Sequence, residues 1–334
     1  MTAKRKILIA VSGVILITAA VLTFIFMPYI QMKNNLKEAE LLPAQKAELT
    51  DAVYFLNTGS ADAILIRSGD KFALIDAAED SDNPRGFPDL EFEGTEQYVV
   101  NAVKKIAGDR NGKATLEFVL GTHSHSDHIG GFDTLILDED ITVKAAYLKK
   151  YDESRISGFE IREWDNKEVY EQMLDACEKR GVPVIHDISG EPFTFGNFTL
   201  TFCNAYYKEL PEKTGENENA VGLLIEKDGC RVFLASDINN FVGDEDRLAS
   251  EIGKVNLLKV GHHGYDGSTT LGFVTALSPE YAVVTNRKGG ISRTPLTNLN
   301  KVNAAVLETG AYGGIVAELG SDGIRLYRNL DSIL

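Results

Sequence analysis

The stretch "GTHSHSDHIGG", residues 121–131, places three of the chain's six histidines and one aspartate within six positions. His123 and His125, two apart in an extended segment, point to the same side, so that both imidazoles reach one ion. Asp127 and His128 follow. If the chain turns at Ile129-Gly130-Gly131, where a helix is expected to open, their side chains aim back at a second ion beside the first. An isolated His-x-His says little. The extended pattern His-x-His-x-Asp-His, followed by two glycines at the end of an apolar strand, points to a metal centre. Mixed imidazole and carboxylate donors suit zinc, with manganese or iron as alternatives.

Two further segments converge on the same reading. "FLASDIN" ends an apolar run in Asp237, and "LLKVGHHG" ends another in His262 and His263. Ligands at the C-terminal ends of several strands meet on one edge of a sheet. Asp237 can bridge two ions through its two oxygens, and one of the paired histidines completes the second site. Asp76, closing "FALID", reads either as a carboxylate that holds a ligand histidine from behind or as a plain strand-end carboxylate. His186, in "VPVIHDI", ends a strand and is expected to lie away from the ions.

Composition bounds the partners. The 334 residues carry a formal net charge of -15 and 44% hydrophobic content, enough for one large core or two modest ones. Such a surface repels polyanions, which disfavours nucleic acid without excluding it. Cys177, Cys203 and Cys230 have no metal-binding spacing and read as unpaired core residues.

The N-terminus separates from the rest. Residues 1–6 form a basic tail with Lys4, Arg5 and Lys6, followed by an uncharged apolar run, Ile7 to Met27. At 1.5 Å per residue, this run covers roughly the thickness of a bilayer core. It lacks a persuasive cleavage site and is expected to be an uncleaved single-pass anchor, the basic end in the cytoplasm and everything after it outside the cell. Residues 28–50 are polar, charged and interrupted by Pro43, and read as a stalk lifting the domain off the membrane. Residues 51–330 are expected to form the folded domain. "AVYFLN", "AILIRS" and "KFALIDA" read as closely spaced strands, residues 95–107 as a helix opening at a Gly-Thr cap, and "TLEFVL" as a buried strand leading into the histidine motif. A helix at 166–180 and strands at "FTLTFCNA", "VGLLIE" and "RVFLASD" continue an α/β alternation, with sheets covered by helices.

"THSHSDHIGG", the strand-terminal Asp237 and "GHHG" resemble the metallo-β-lactamase fold of binuclear metallohydrolases. The early "LNTGSADAILIRSGDKFALIDAA" is similar to the first strands of that fold, particularly in the hydrolase domain of competence-type DNA-uptake channels. "DSDNPRGFP", "YLKKYDESRI", "WDN", "DINN" and "GDEDRLASEIGKVNLLK" resemble the catalytic domain of teichoic acid phosphorylcholine esterases. The resemblance implies an αββα sandwich and two zinc ions. His123 and His125 would hold one ion, Asp127, His128 and His263 the other, and Asp237 would bridge, with Asp127 and Asp237 central to catalysis. His262 remains a rival to His263. Many relatives supply another histidine before the bridging aspartate. Here Asn219 stands there instead, which leaves one ion open to water or a phosphate oxygen.

Two divalent cations sharing a bridging ligand suit phosphodiester hydrolysis. A phosphocholine group would further need an aromatic cage for its quaternary ammonium. Trp164 is the single tryptophan, and Tyr151, Phe159, Tyr206, Tyr207 and Tyr265 lie near the motifs, although ordinary packing accounts for such residues equally well. The sequence therefore favours a membrane-anchored, zinc-dependent phosphodiesterase of the cell envelope. An external nuclease and a catalytically inactive surface binding protein are the other readings.

Overall fold

The computed structural model describes residues 3–37, 39–44, 49–81, 94–207 and 214–334. Two sheets face each other, with helices on both outer surfaces. In the first strand of the domain, Ala52 and Tyr54 pack outward under helices Glu96–Ala107, Phe132–Leu137 and Asn166–Arg180, while Val53 and Phe55 point inward between the sheets. This period-two alternation divides one strand between two hydrophobic layers. The inner layer joins Phe55, Ile64 and Ile66 to Leu200, Leu223, Val232 and Leu257. A third layer lies under helices Asp244–Ile252, Leu271–Leu277 and Arg293–Lys301, where Phe233, Leu258 and Val284 meet Leu248, Phe273 and Leu296. The result is an αββα sandwich.

Among the described residues, the first sheet has nine strands. Its hairpin Ile315–Gly320 and Gly323–Arg328 returns from the C-terminus to pair with Asp51–Phe55, so the ends of the chain close one sheet. Among the described residues, the second sheet has seven strands in chain order from Phe193–Phe195 to Ala305–Glu308. What positions the site is the run of parallel pairs. Lys71–Ile75 and Phe118–Gly121 run parallel in the first sheet, as do Cys230–Leu234, Leu257–Lys259, Tyr281–Val284 and Ala305–Glu308 in the second. Their C-terminal ends share one edge, and every chemical motif leaves from that edge.

Three expectations need correction. The expected strand "TLEFVL" breaks at Glu117, whose N–H donates to the Phe72 carbonyl. Ala114–Leu116 then pairs with Ile141–Val143, while Phe118–Gly121 enters the large sheet. Thr95 does stand before helix Glu96–Ala107, but its hydroxyl makes no capping bond.

The third correction concerns the stalk. Helix Ala3–Leu36 runs without a break through Pro28, and Tyr29, Met32 and Leu36 pack against the domain. Leu41–Pro43 then adds a parallel strand beside Gly323–Arg328. The spacing of 29, 32 and 36 gives this polar segment an apolar stripe, and burying that stripe docks the segment on the domain. At the other end, Asp331 accepts hydrogen bonds from Asn57 and Tyr98, so the body extends past residue 330. The apolar part of the N-terminal helix is long enough to cross a membrane and almost entirely unburied. The three cysteines are free.

Candidate metal centre

Each ligand-bearing segment is held in place by an identifiable device. After Phe118–Gly121, Thr122 donates its N–H and its hydroxyl to the two oxygens of Asp76, both at 2.8 Å. This clamps the histidine segment to the end of the neighbouring strand. The helix opens at Ser126, three residues earlier than expected, as the short turn Ser126–Ile129. The double glycine has a steric cause, because a Cβ at Gly130 would lie 2.5 Å from the Ser126 carbonyl and one at Gly131 would strike the Ala77 carbonyl. In "GHHG", both histidines adopt left-handed backbone angles, φ 49° and 50°, a strained conformation found where function demands it.

The donors converge as two sets. His123 Nε2 and His125 Nδ1 are 3.0 Å apart. On the other side, His128 Nε2 is 3.1 Å from His263 Nε2, which is 3.3 Å from Asp127 Oδ2. Asp237 lies between the sets. Its Oδ1 is 3.2 Å and 3.3 Å from His128 and His263, and its Oδ2 is 3.9 Å from His123. All five histidines and both aspartates of the three motifs therefore gather in one place.

The backs of the rings fix which nitrogen is available. His128 Nδ1 donates to Asp76 Oδ2 at 2.7 Å. His263 Nδ1 faces the Thr285 carbonyl at 3.2 Å, and His125 Nε2 donates to Glu160 at 2.6 Å. In the neutral rings, His128 Nε2, His263 Nε2 and His125 Nδ1 then carry lone pairs. Lone pairs facing each other at 3.1 Å repel unless a proton or a metal cation sits among them, and buried Asp237 Oδ1 has no hydrogen-bond partner among the described residues. This donor set fits divalent cations.

Electrostatics agree. Burial and the neighbouring His128 and His125 push His123 well below the usual histidine range, leaving it a neutral ligand. At His263, burial opposes the imidazolium, but the Asp237 and Asp62 carboxylates outweigh it and raise the group to about 10. Burial would also raise Asp237, yet the surrounding imidazoles hold it well below the carboxylate range. A divalent cation placed among these atoms takes over the role of the imidazolium protons.

Of the two rivals, His263 is inside the cluster. His262 is partly exposed, with Nε2 3.8 Å from Asp237 Oδ2 and 3.4 Å from the Asn217 amide. Asn219 does not face the donors, since its amide donates to Glu216 Oε1 at 3.0 Å. His186 bonds the Leu148 carbonyl, away from the site. Trp164 stacks on His125, ring centroids 5.5 Å apart, and stays 38% exposed. Of the segments carrying the esterase resemblance, residues 82–88 lie outside the described residues.

Two buried acids were missed in the sequence. Glu160, which orients His125, also accepts from Asn166 and the Glu216 N–H. Asp62 accepts from Lys259 Nζ at 2.5 Å and from the Thr285 hydroxyl at 2.5 Å, with its Oδ1 3.4 Å from His263 Nδ1. A lysine within the apolar "LLKV" was the available signal, because a lysine buried in a strand needs a carboxylate partner.

A family profile described as a beta-lactamase superfamily domain matches residues 74–269. The chain belongs to the β-lactamase superfamily. The matched span contains Asp76, both histidine motifs and Asp237. Over 204 residues, this β-lactamase-superfamily chain is 26% identical to ComE operon protein 3 of Bacillus subtilis (strain 168), covering 60% of itself and 24% of that protein. It thus spans about a quarter of that relative's length. Among solved structures, it is similar to the metallo-β-lactamase fold protein YhfI from Bacillus subtilis (14% identity, 77% of this chain and 95% of that one, TM-score 0.46). It is also similar to zinc-bound PqqB from Methylobacterium extorquens (15% identity, 74% and 85%, TM-score 0.39). The fold is the metallo-β-lactamase α/β sandwich, preceded by one apolar helix capable of crossing a membrane.

Proposed function

We propose that this chain is a membrane-anchored, outward-facing binuclear metallohydrolase that cleaves phosphodiesters, with a phosphocholine-type or related cell-envelope ester as substrate. The observation that carries the reading is Asp237, whose two oxygens face two separate donor sets. Zinc suits this mixture of imidazole and carboxylate. Paired divalent cations in such a site supply Lewis acidity, lowering the pKa of water and neutralising charge on substrate oxygens.

The chain's own residues prepare the site. Asp76, Glu160 and the Thr285 carbonyl hold a proton on the far nitrogen of three rings, so the near nitrogens stay open for coordination. The set around His123 and His125 has fewer protein donors than the set around Asp127, His128 and His263, and it borders the cleft. That cleft, about 320 Å³, is lined by His125, Glu160, Asn217, Glu218, Asn239 and Phe241. Carboxylates beside the exposed Phe241, with the partly exposed Trp164 stacked on His125, give a cationic head group both charge and ring faces, which supports the phosphocholine reading.

The test pairs metal content with turnover on a nitrophenyl phosphocholine ester, bis-nitrophenyl phosphate, DNA and a lactone. The expected result is close to two zinc equivalents and chelator-sensitive release of nitrophenol from the phosphocholine ester. Preferred cleavage of DNA would replace this reading with a nuclease. A metal-loaded protein inert on every substrate would favour the binding-protein reading.

A further inference from the structure

The N-terminal helix leaves the domain in a definite direction. Helix Arg293–Lys301 follows strand Tyr281–Val284 and precedes the parallel strand Ala305–Glu308, so its N-terminus lies at the metal-site edge. The Ser292 N–H confirms this placement by donating to the carbonyl of Gly264, the residue after His263. Helix Ala3–Leu36 lies alongside and runs the same way. Phe24 contacts Arg293, Pro28 and Gln31 contact Asn300, and Asn35 contacts Ala304.

The contact at Phe24 is built in. Pro28 has no N–H to give the Phe24 carbonyl, and the Arg293 guanidinium supplies the missing donor at 2.8 Å while sitting 3.8 Å from the Phe24 ring centroid. Pro28 is buried, whereas Phe24, Phe26 and Met27 are exposed. Toward its N-terminus, the helix therefore projects past the metal-site edge. The 22 residues from Phe24 back to Ala3 cover about 30 Å.

The same edge carries what a membrane surface recognises. Phe241, ahead of helix Asp244–Ile252, is 73% exposed, and Leu271, first residue of the next helix, is 41% exposed. Arg287, Lys288 and Arg293 are exposed along the following connection, with Asp246 and Asp266 the exposed acids on the neighbouring ones. On a chain of net charge -15, this cationic run faces the side from which the apolar helix emerges.

We propose that the domain sits on the bilayer with its metal-site edge turned toward the lipid, and that its substrate is a phosphodiester carried on a membrane lipid. This deepens the phosphodiesterase reading and rests on the helix being an anchor. The test places the photo-reactive benzoylphenylalanine in turn at Val14, Phe241 and Asp228 of the full chain, reconstituted in phosphatidylcholine–phosphatidylglycerol vesicles. Asp228 is exposed in the turn at the opposite edge. Lipid adducts are expected at Val14 and Phe241 and not at Asp228. Adducts at Val14 with none at Phe241 would overturn the orientation and leave the anchor standing. No adduct at Val14 would overturn both. In parallel, Leu271→Asp is expected to slow cleavage of a vesicle-borne phosphodiester lipid about ten-fold, while turnover of the water-soluble nitrophenyl ester stays unchanged. Equal loss on both substrates would count against a lipid-borne substrate.

Discussion

Replacing Asp62 by asparagine tests what holds the metal-site edge together. Asp62 is 1% exposed and Lys259 fully buried, and the two approach within 2.5 Å. Asparagine keeps the volume and removes the charge, leaving the Lys259 ammonium with neutral acceptors, among them the Ser236 carbonyl at 3.0 Å. Stranding one member of a buried ion pair costs about 3–5 kcal/mol. Unfolding entropy of about 2.1 cal/mol/K per residue over roughly 300 residues is about 0.6 kcal/mol/K, so Tm should fall by roughly 5–8 °C. The assay is thermal unfolding of the full chain in detergent, wild type and variant in the same metal state. The double variant Asp62→Leu/Lys259→Met separates pairing from packing. Removing both charges should recover most of the loss, since buried ion pairs and apolar replacements of similar size are often equivalent. A Tm drop below about 1 °C for Asp62→Asn would refute the reasoning, because the lysine would then have another route to compensation.

Glu160→Gln removes the charged acceptor behind His125 and should weaken zinc binding about 10- to 100-fold, read by competition with a chromophoric chelator; affinity within about three-fold of wild type would remove Glu160 from the positioning role. Gly130→Ala should destabilise the protein by about 1–3 kcal/mol in chemical denaturation, and lower zinc affinity as well, because the new methyl group pushes the turn carrying Asp127 and His128. Asp51 gives a pH signature. Burial opposes its carboxylate, but bonds from Asn197, Lys227 and Ser68 outweigh this and lower its pKa. Its stabilisation is therefore present above the unfolded value near 3.8 and disappears as pH falls through the lower folded value. Asp51→Asn should cost about 1–3 kcal/mol at pH 7, and the gap from wild type should close in acid.

The legible parts of this chain are those whose signal is local. The first cluster is legible because its ligands are neighbours and their residue types name the chemistry. The sandwich is legible because strands such as Asp51–Phe55 alternate between two apolar layers, and helix Asn166–Arg180 is bounded as its pattern suggests, with left-handed Gly181 ending it. Glu160 is not legible. It lies 35 residues beyond His125, on a six-residue helix whose acids all look like solvated surface. Asp62 hides in "TGSAD", a stretch with the composition of a turn, and its importance comes from Lys259 and Thr285, which belong to the other sheet. The misread stalk differs again. Its polarity was real, but one apolar stripe at 29, 32 and 36 outweighed it, because burying a few side chains against an existing core costs little further chain entropy.

The two donor sets are unequal in a way that assigns them different work. Asp127, His128, His263 and Asp237 Oδ1 would give one ion four protein donors, two of them with their far nitrogens held by buried acceptors. A second ion would have His123, His125 and Asp237 Oδ2, while Asn219 turns its amide to Glu216 and away from the site. A cation with three protein donors keeps a coordination position for something else, as catalytic zinc sites do and structural ones do not. That position borders the cleft of Glu160 and Phe241, and the stack of Trp164 on His125 limits how that ring can tilt. On the proposed function, a cation held by His123 and His125 would be the one with room for a substrate oxygen, and a cation held by Asp127, His128 and His263 would supply the fixed point against which the reacting group is oriented. Asp237 couples the two, so truncating it should disable both sites at once, whereas loss of His125 should spare the second.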